Sequence, residues 1–160
     1  MSSVMPTYGR VDISFTSGQG PYLFTAEGDQ YLDFTSGIAV TGLGHAHPHL
    51  VKALTDQVSQ LWHTSNLYVI AEQERLAERL CEKSFADLVF FCNSGAEANE
   101  AAIKLATMAQ GKQAEYFISA NEGYHGKTHG ALSLTDSENF SEGFHIGIPK
   151  KNLIKIKFDN

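Results

Sequence analysis

Phe91-Cys-Asn-Ser-Gly-Ala-Glu-Ala-Asn-Glu-Ala-Ala-Ile-Lys is the stretch that decides the fold, with the apolar run Asp87-Leu-Val-Phe-Phe-Cys leading into it. A short continuous apolar run of this kind reads as a strand covered on both faces of a parallel or mixed sheet. The adjoining segment, Ala96 to Gln110, is rich in Ala and reads as a helix closed by Gly111. Ser94 is placed to cap that helix, and Glu97, three residues on, completes an S-x-x-E capping box. Gly95 carries no side chain, so a bulky anion can approach its backbone. The N–H groups of Gly95, Ala96 and Glu97 with the positive end of the helix dipole form a candidate anion site at the carboxyl end of a strand. On the residues alone, a capped helix without a ligand explains the stretch equally well.

Downstream, Glu115-Tyr-Phe-Ile-Ser reads as a further strand, so the order strand, helix, strand is a βαβ unit with a right-handed crossover expected. The fold class is therefore α/β. A glycine-containing turn comes next at Asn121 to Gly126, and its Gly126-Lys-Thr invites comparison with a phosphate-binding P-loop. That motif needs a glycine five positions before Gly126, where Asn121 stands, and the P-loop reading is set aside. Tyr124, between two glycines, presents either an aromatic face to a planar ring or ordinary packing surface, and spacing does not choose.

Upstream, Tyr22-Leu-Phe-Thr and Tyr31-Leu-Asp-Phe flank Ala26-Glu-Gly-Asp, a β-hairpin in which Gly28 supplies the positive φ of the turn. A glycine-punctuated loop, Ser36 to Gly44, leads to Pro48, which suits the first helical position. Leu50, Ala53, Leu54, Val58 and Leu61 follow helical spacing to about Leu61, and a second helix spans Ala71 to Lys83 with Leu76, Ala77 and Leu80 as its apolar stripe. Residues 1–61 are expected to form an amino-terminal segment of hairpin, loop and first helix, and 62–160 the beginning of a larger domain.

Length and composition bound the function. The 160 residues, 42% hydrophobic and 19% charged, suit a globular chain able to bury a sizeable core. Apolar runs such as Leu88 to Cys92 fall far short of the ~20 residues that cross a bilayer, so no membrane partner is expected. The formal charge of −6 gives no footprint for nucleic acid. Lys150, Lys151, Lys155 and Lys157 read as a solvated strand edge rather than an anion-binding patch. Two cysteines, Cys81 and Cys92, without a close-spaced motif, and the lack of a signal-peptide pattern over Met1 to Phe15, point to a reducing cytoplasmic location. Seven histidines include His45, His47 and His49, but Pro48 breaks the extended geometry that would let them converge. His125 and His129 lack the glutamate of a zinc-protease pair, so no metal is expected.

These words resemble those of the class III aminotransferases that use pyridoxal phosphate, most closely the acetylornithine aminotransferases of bacterial arginine synthesis. The matching stretches are Tyr31-Leu-Asp-Phe-Thr-Ser-Gly-Ile-Ala-Val, Leu43-Gly-His-Ala-His-Pro, His63-Thr-Ser-Asn-Leu-Tyr, Asn93-Ser-Gly-Ala-Glu-Ala-Asn-Glu-Ala-Ala-Ile-Lys-Leu-Ala and Tyr124-His-Gly-Lys-Thr, in the family's order over nearly the whole chain. The resemblance implies a fold-type I transferase: an amino-terminal segment plus the first part of a large mixed-sheet domain that binds pyridoxal 5'-phosphate. It implies that Ser94, Gly95 and Ala96 hold the cofactor phosphate, that Tyr124 stacks on its ring with His125 beside it in the turn, and that Lys127 faces the substrate carboxylate where such enzymes usually carry arginine. The Gly37-Ile38 loop and Ser65-Asn66 resemble parts that border the active site near a homodimer interface. The expected substrates are small amino and 2-oxo acids. None of the nine lysines sits in the context of the family's cofactor-bearing lysine, which is expected beyond Asn160. The chain therefore reads as the amino-terminal part of a longer enzyme, inactive alone, with a non-enzymatic phosphate- or cofactor-binding module as the alternative. The donor, whether acetylornithine, succinyl-diaminopimelate, ornithine or 4-aminobutyrate, stays open.

Overall fold

The expected hairpin forms around Gly28, whose φ of 92° is the left-handed geometry its turn needs. A computed structural model describes residues 3–110, 116–143 and 147–158. The chain divides into two compact units, Met1–Ala71 and Glu72–Asn160. In the first, β2 (Tyr22–Phe24) and β3 (Gln30–Leu32) pair antiparallel with Leu23 opposite Tyr31. A third strand that the sequence pattern does not announce, β1 (Ser17–Gln19), extends the sheet on the far side of β2. Its Ser-Gly-Gln sequence carries no apolar alternation, and what makes it a strand is the partner beside it. Phe34, expected in the hairpin strand, lies outside β3 and is 90% exposed. The chain has already turned there, because Asp33 is bound elsewhere.

After β3 comes a tight left-handed turn, α1 (Ser36–Ala39), in which Ser36, Gly37, Ile38 and Ala39 all have positive φ, 49° to 64°. For a β-branched residue such as Ile38 this is a costly conformation, and it persists only where surrounding bonds over-determine it. Here the Ser36 N–H donates to Asp33 Oδ1 at 2.9 Å, the Ser36 and Thr41 hydroxyls meet at 2.5 Å, and the Asp33 carboxylate also holds His45 Nε2 at 2.8 Å. His45 is further fixed to Gly20 by a reciprocal pair of backbone bonds. The helix α2 then runs Pro48–Val58 with Pro48 in its first turn, ending three residues before the expected Leu61. Its apolar residues Leu50, Val51 and Leu54 remain half or more exposed.

In the second unit α3 (Ala71–Glu82) and α4 (Gly95–Gln110) match the helical periodicity within one residue at the ends described, while the stop expected at Gly111 lies outside the described residues. The strand expected at Asp87–Cys92 is a correction: the segment joins no ladder among the described residues, and Leu88 and Phe90 are 89% and 68% exposed. A strand exists only with a neighbour to accept its backbone bonds, and β4 (Phe117–Ala120) pairs instead with β5 (Leu153–Ile156). That pair is parallel, Ile118 opposite Ile154. It is linked through the short helices α5 (His129–Leu134) and α6 (Glu138–Ser141) and a 3-10 turn at Lys150–Asn152. The βαβ unit expected from 87–92 through α4 to β4 is therefore not closed by backbone pairing.

The sizeable core expected from the length is likewise corrected. Among the described residues the buried apolar side chains are Ala131 and Leu132 of α5, with Ser119 and Thr135 buried beside them. The packed centre of this unit is thus where α5 crosses β4. Apolar stripes without a second layer stay in water, because a helix or sheet face is buried only against another element.

Candidate active site

The N-terminal turn of α4 is built as its sequence predicts, with one difference. Glu97 N–H donates to Ser94 Oγ at 3.2 Å, and Ser94 Oγ donates to Glu97 Oε2 at 3.0 Å. The reciprocal backbone bond comes from the N–H of Asn93 at 2.8 Å rather than from Ser94, and the Asn93 side chain adds a longer contact of 3.3 Å. Hydrogen bonds from the side chains of Asn93 and then Ser94 hold the Glu97 carboxyl below its ordinary range. The cap therefore uses the Glu97 N–H, which the expected anion site had needed free. Those of Gly95 and Ala96 have no acceptor among the described residues. A Cβ built on Gly95 meets nothing within 4 Å, so the space over this turn is open.

The turn between β4 and α5 is pressed against the same helix end. Gly126 has φ 123°, and a Cβ there would stand 2.8 Å from Ala96 Cβ, so only glycine allows this approach. The Asn99 side-chain amide donates to the His125 carbonyl at 2.6 Å. Thr135 Oγ1 accepts the His125 N–H at 2.9 Å and donates to the Gly126 carbonyl at 3.2 Å. Glu100 Oε1 accepts the N–H groups of Gly130 and Ala131 at 2.8 and 3.1 Å. Its carboxyl is held below the ordinary range chiefly by a hydrogen bond from Thr128, with the Ala131 and Gly130 amides adding to it.

Between these two pieces lies a cleft of about 550 Å³. It brings together all six residues singled out from the sequence: Ser94, Gly95 and Ala96 on one wall, Tyr124, His125 and Lys127 on the other. Tyr124 is 60% exposed and sets its ring edge-on to Phe140 at 5.9 Å. Lys127 Nζ lies 5.0 Å from the centroid of the Phe140 ring. His125 keeps its Nε2 buried with no hydrogen-bond partner among the described residues, while its backbone is bonded on both sides. Asn99, Glu100 and Thr135, which hold the turn in place, do not stand out in the sequence. Their signal is weak: two polar residues in an Ala-rich helix and one threonine after a short one.

Gly37, Ile38, Ser65 and Asn66, expected from the resemblance to border the active site, lie in the first unit. Gly37 and Ile38 form the left-handed turn, and Ser65 makes its own tight turn through Leu67 N–H to Ser65 Oγ at 3.2 Å. Among the described residues no group of three His, Cys, Asp or Glu side chains converges, and no helix is long and apolar enough to cross a membrane.

The N-terminal turn of α4, with open N–H groups at Gly95 and Ala96, shares one cleft with an aromatic and a cation from the turn after β4, on an α/β frame. The family model for class III aminotransferases matches residues 4–159, and the chain belongs to that family. It is 51% identical over 145 residues to acetylornithine aminotransferase 1 of Bradyrhizobium diazoefficiens, covering 88% of this chain and 36% of that protein. Against the acetylornithine aminotransferase of Nitrosomonas europaea it is 51% identical over 163 residues, covering 100% of this chain and 41% of the relative. In structure it is similar to the ornithine aminotransferase of Toxoplasma gondii, described with partial occupancy of PLP at its active site: TM-score 0.88, 26% identity, 99% of this chain and 38% of that one. The fold is that of the fold-type I transferases, and the chain spans about two fifths of the length of these relatives.

Proposed function

We propose that this chain is the amino-terminal part of an aminotransferase that moves an amino group from N-acetylornithine, or a related ω-amine, to 2-oxoglutarate with pyridoxal 5'-phosphate as cofactor. The observation that carries this reading is the cleft in which the open N–H groups of Gly95 and Ala96 share one space with Tyr124 and Lys127. The residues fit the cofactor, since the Gly95 Cβ direction is empty and Tyr124 keeps more than half its surface exposed. When bound, the cofactor supplies an aldehyde for the amino group and an electron sink for the developing carbanion.

The chain's own residues bind and orient. Gly95 and Ala96 N–H groups, at the positive end of a helix of 16 residues, receive the phosphate oxygens without a side chain in the way. Glu97, an anion in that same turn, is tied to Asn93 and Ser94, so its charge is satisfied locally. Tyr124 offers the flat face for the pyridine ring, with His125 fixed beside it. Lys127 supplies the cation for a substrate carboxylate. No residue of this chain is assigned to moving the proton; the lysine that does so belongs to the remainder of the enzyme.

The same reading makes the full-length enzyme a cytoplasmic homodimer acting in arginine biosynthesis. Residues 62–160 begin the cofactor-binding domain. The test is amino transfer by the purified full-length protein, followed as glutamate formed from 2-oxoglutarate with acetylornithine, ornithine, succinyl-diaminopimelate and 4-aminobutyrate as donors. Turnover that is fastest with acetylornithine supports the proposal. Stoichiometric cofactor binding without turnover of any donor favours a binding module instead.

A further inference from the structure

We propose that Glu100 is a positioning residue that sets the Tyr124–Lys127 turn at its working distance from the Ser94–Ala96 cradle. The proposal rests on the aminotransferase reading for its functional consequence, and its geometry stands independently. Glu100 sits on α4 one turn beyond the cradle and reaches 30 residues along the chain to accept the Gly130 and Ala131 N–H groups at 2.8 and 3.1 Å. Those amides belong to the first turn of α5, a helix whose N-cap residue, Thr128, makes no side-chain capping bond within it. An external carboxylate thus takes the place of the missing cap, satisfying donors that would otherwise be left unpaired. Because the capped turn begins immediately after Lys127, the position of one carboxylate on α4 determines where the substrate-facing end of the turn lies.

The close fit has a second signature. A Cβ built on Gly130 would lie 3.0 Å from Glu100 Oε1 and from Glu100 Cδ, so this glycine leaves room for the carboxylate. Gly130→Ala therefore displaces the Glu100 head without removing its charge. In a chain that already carries Glu100→Ala, the same change at Gly130 meets no carboxylate. The two positions must then be non-additive, whereas two unrelated structural lesions add.

The experiment uses the full-length enzyme with Glu100→Ala, Glu100→Gln, Gly130→Ala and the Glu100→Ala/Gly130→Ala pair. Two readouts are taken: KM and kcat for 2-oxoglutarate, and amide hydrogen exchange of the peptide covering 121–135. Glu100→Ala and Gly130→Ala are each expected to raise KM about tenfold, as small misplacements of substrate-positioning groups do, with cofactor absorbance retained. Both should speed exchange in 121–135. Glu100→Gln, which keeps an acceptor oxygen at the same reach, should recover most of both effects, and the double variant should be no worse than Glu100→Ala. If the wild type turns over while both single variants keep KM within twofold, the positioning role is wrong and the aminotransferase reading stands. If the wild type shows no turnover, that reading fails, and exchange alone decides the clamp: additive effects of the two substitutions, or none, overturn it.

Discussion

Gly126 and Ala96 meet so closely that a Cβ on the glycine would stand 2.8 Å from the alanine's, which places the turn of one strand directly on the N-terminal end of α4. Gly126 is also buried and at φ 123°, so Gly126→Ala combines a strained backbone with a steric overlap. The expected loss is roughly 1–3 kcal/mol of stability, read as a lower denaturation midpoint of the full-length protein with weaker cofactor retention. A midpoint equal to that of the wild type would show that the turn relaxes away from α4 at no cost.

Gly95 should behave in the opposite way. Its Cβ direction is empty, so Gly95→Leu is expected to leave stability nearly unchanged while filling the space over the Gly95 and Ala96 amides. Cofactor binding, followed by absorbance, should become about 10- to 100-fold weaker, in keeping with the loss of one or two charge-assisted bonds. Unchanged retention in a folded variant would mean that the Gly95 and Ala96 amides do not hold the phosphate.

On the proposed reading Lys127 stands where the family resemblance implies an arginine, and it keeps that charge without the planar fork that grips a carboxylate in two bonds. Lys127→Arg is expected to lower KM for 2-oxoglutarate by roughly three- to tenfold, and Lys127→Ala to raise it by a similar factor. The ring of Phe140 beneath Nζ accommodates either cation. Steady-state kinetics in which neither substitution moves KM would take Lys127 out of the substrate site.

Asp33 gives the first unit a dependence on acid. The Ser36 N–H, then the His45 side chain, hold its carboxyl below the ordinary value. A carboxyl depressed in the folded state contributes stability above its unfolded pKa of ~3.9, and that contribution is lost as pH falls through the lower folded value. Asp33→Asn should therefore lower the denaturation midpoint of the full-length protein at pH 7, with the difference from wild type shrinking below about pH 4. A difference that is the same at pH 7 and pH 3 would mean that the Asp33 charge does not hold the left-handed turn.

The 160-residue chain by itself is expected to form no site-specific covalent adduct with pyridoxal phosphate, since none of its nine lysines is assigned to the aldehyde. It should also self-associate, because Leu88, Phe90 and Ile118 are exposed and no further strand pairs with β4 or β5 among the described residues. Borohydride trapping with peptide mapping and sedimentation velocity test the two points. One stoichiometric lysine adduct, or a stable monomer at micromolar concentration, contradicts them.

The amino-acid sequence by itself determined the local devices: the Gly28 hairpin turn, the start of α2 at Pro48, the lengths of α3 and α4, and the Ser94–Glu97 cap. Each depends on residues within about four positions of one another, where periodicity, capping chemistry and φ preference act directly. It also carried Ser94, Gly95, Ala96, Tyr124, His125 and Lys127 as site candidates, though only family resemblance linked the two groups. Tertiary structure alone decided what depends on a distant partner. Asp87–Cys92 has strand composition but no ladder, while Ser17–Gln19 has little strand composition and becomes β1 because β2 lies beside it. Asn99 and Glu100 look like solvent-facing polar residues of a helix until the turn 26 to 31 residues later brings backbone groups to them. A hydrogen bond between residues so far apart leaves no periodic trace in either segment, and it is these bonds that close the cleft.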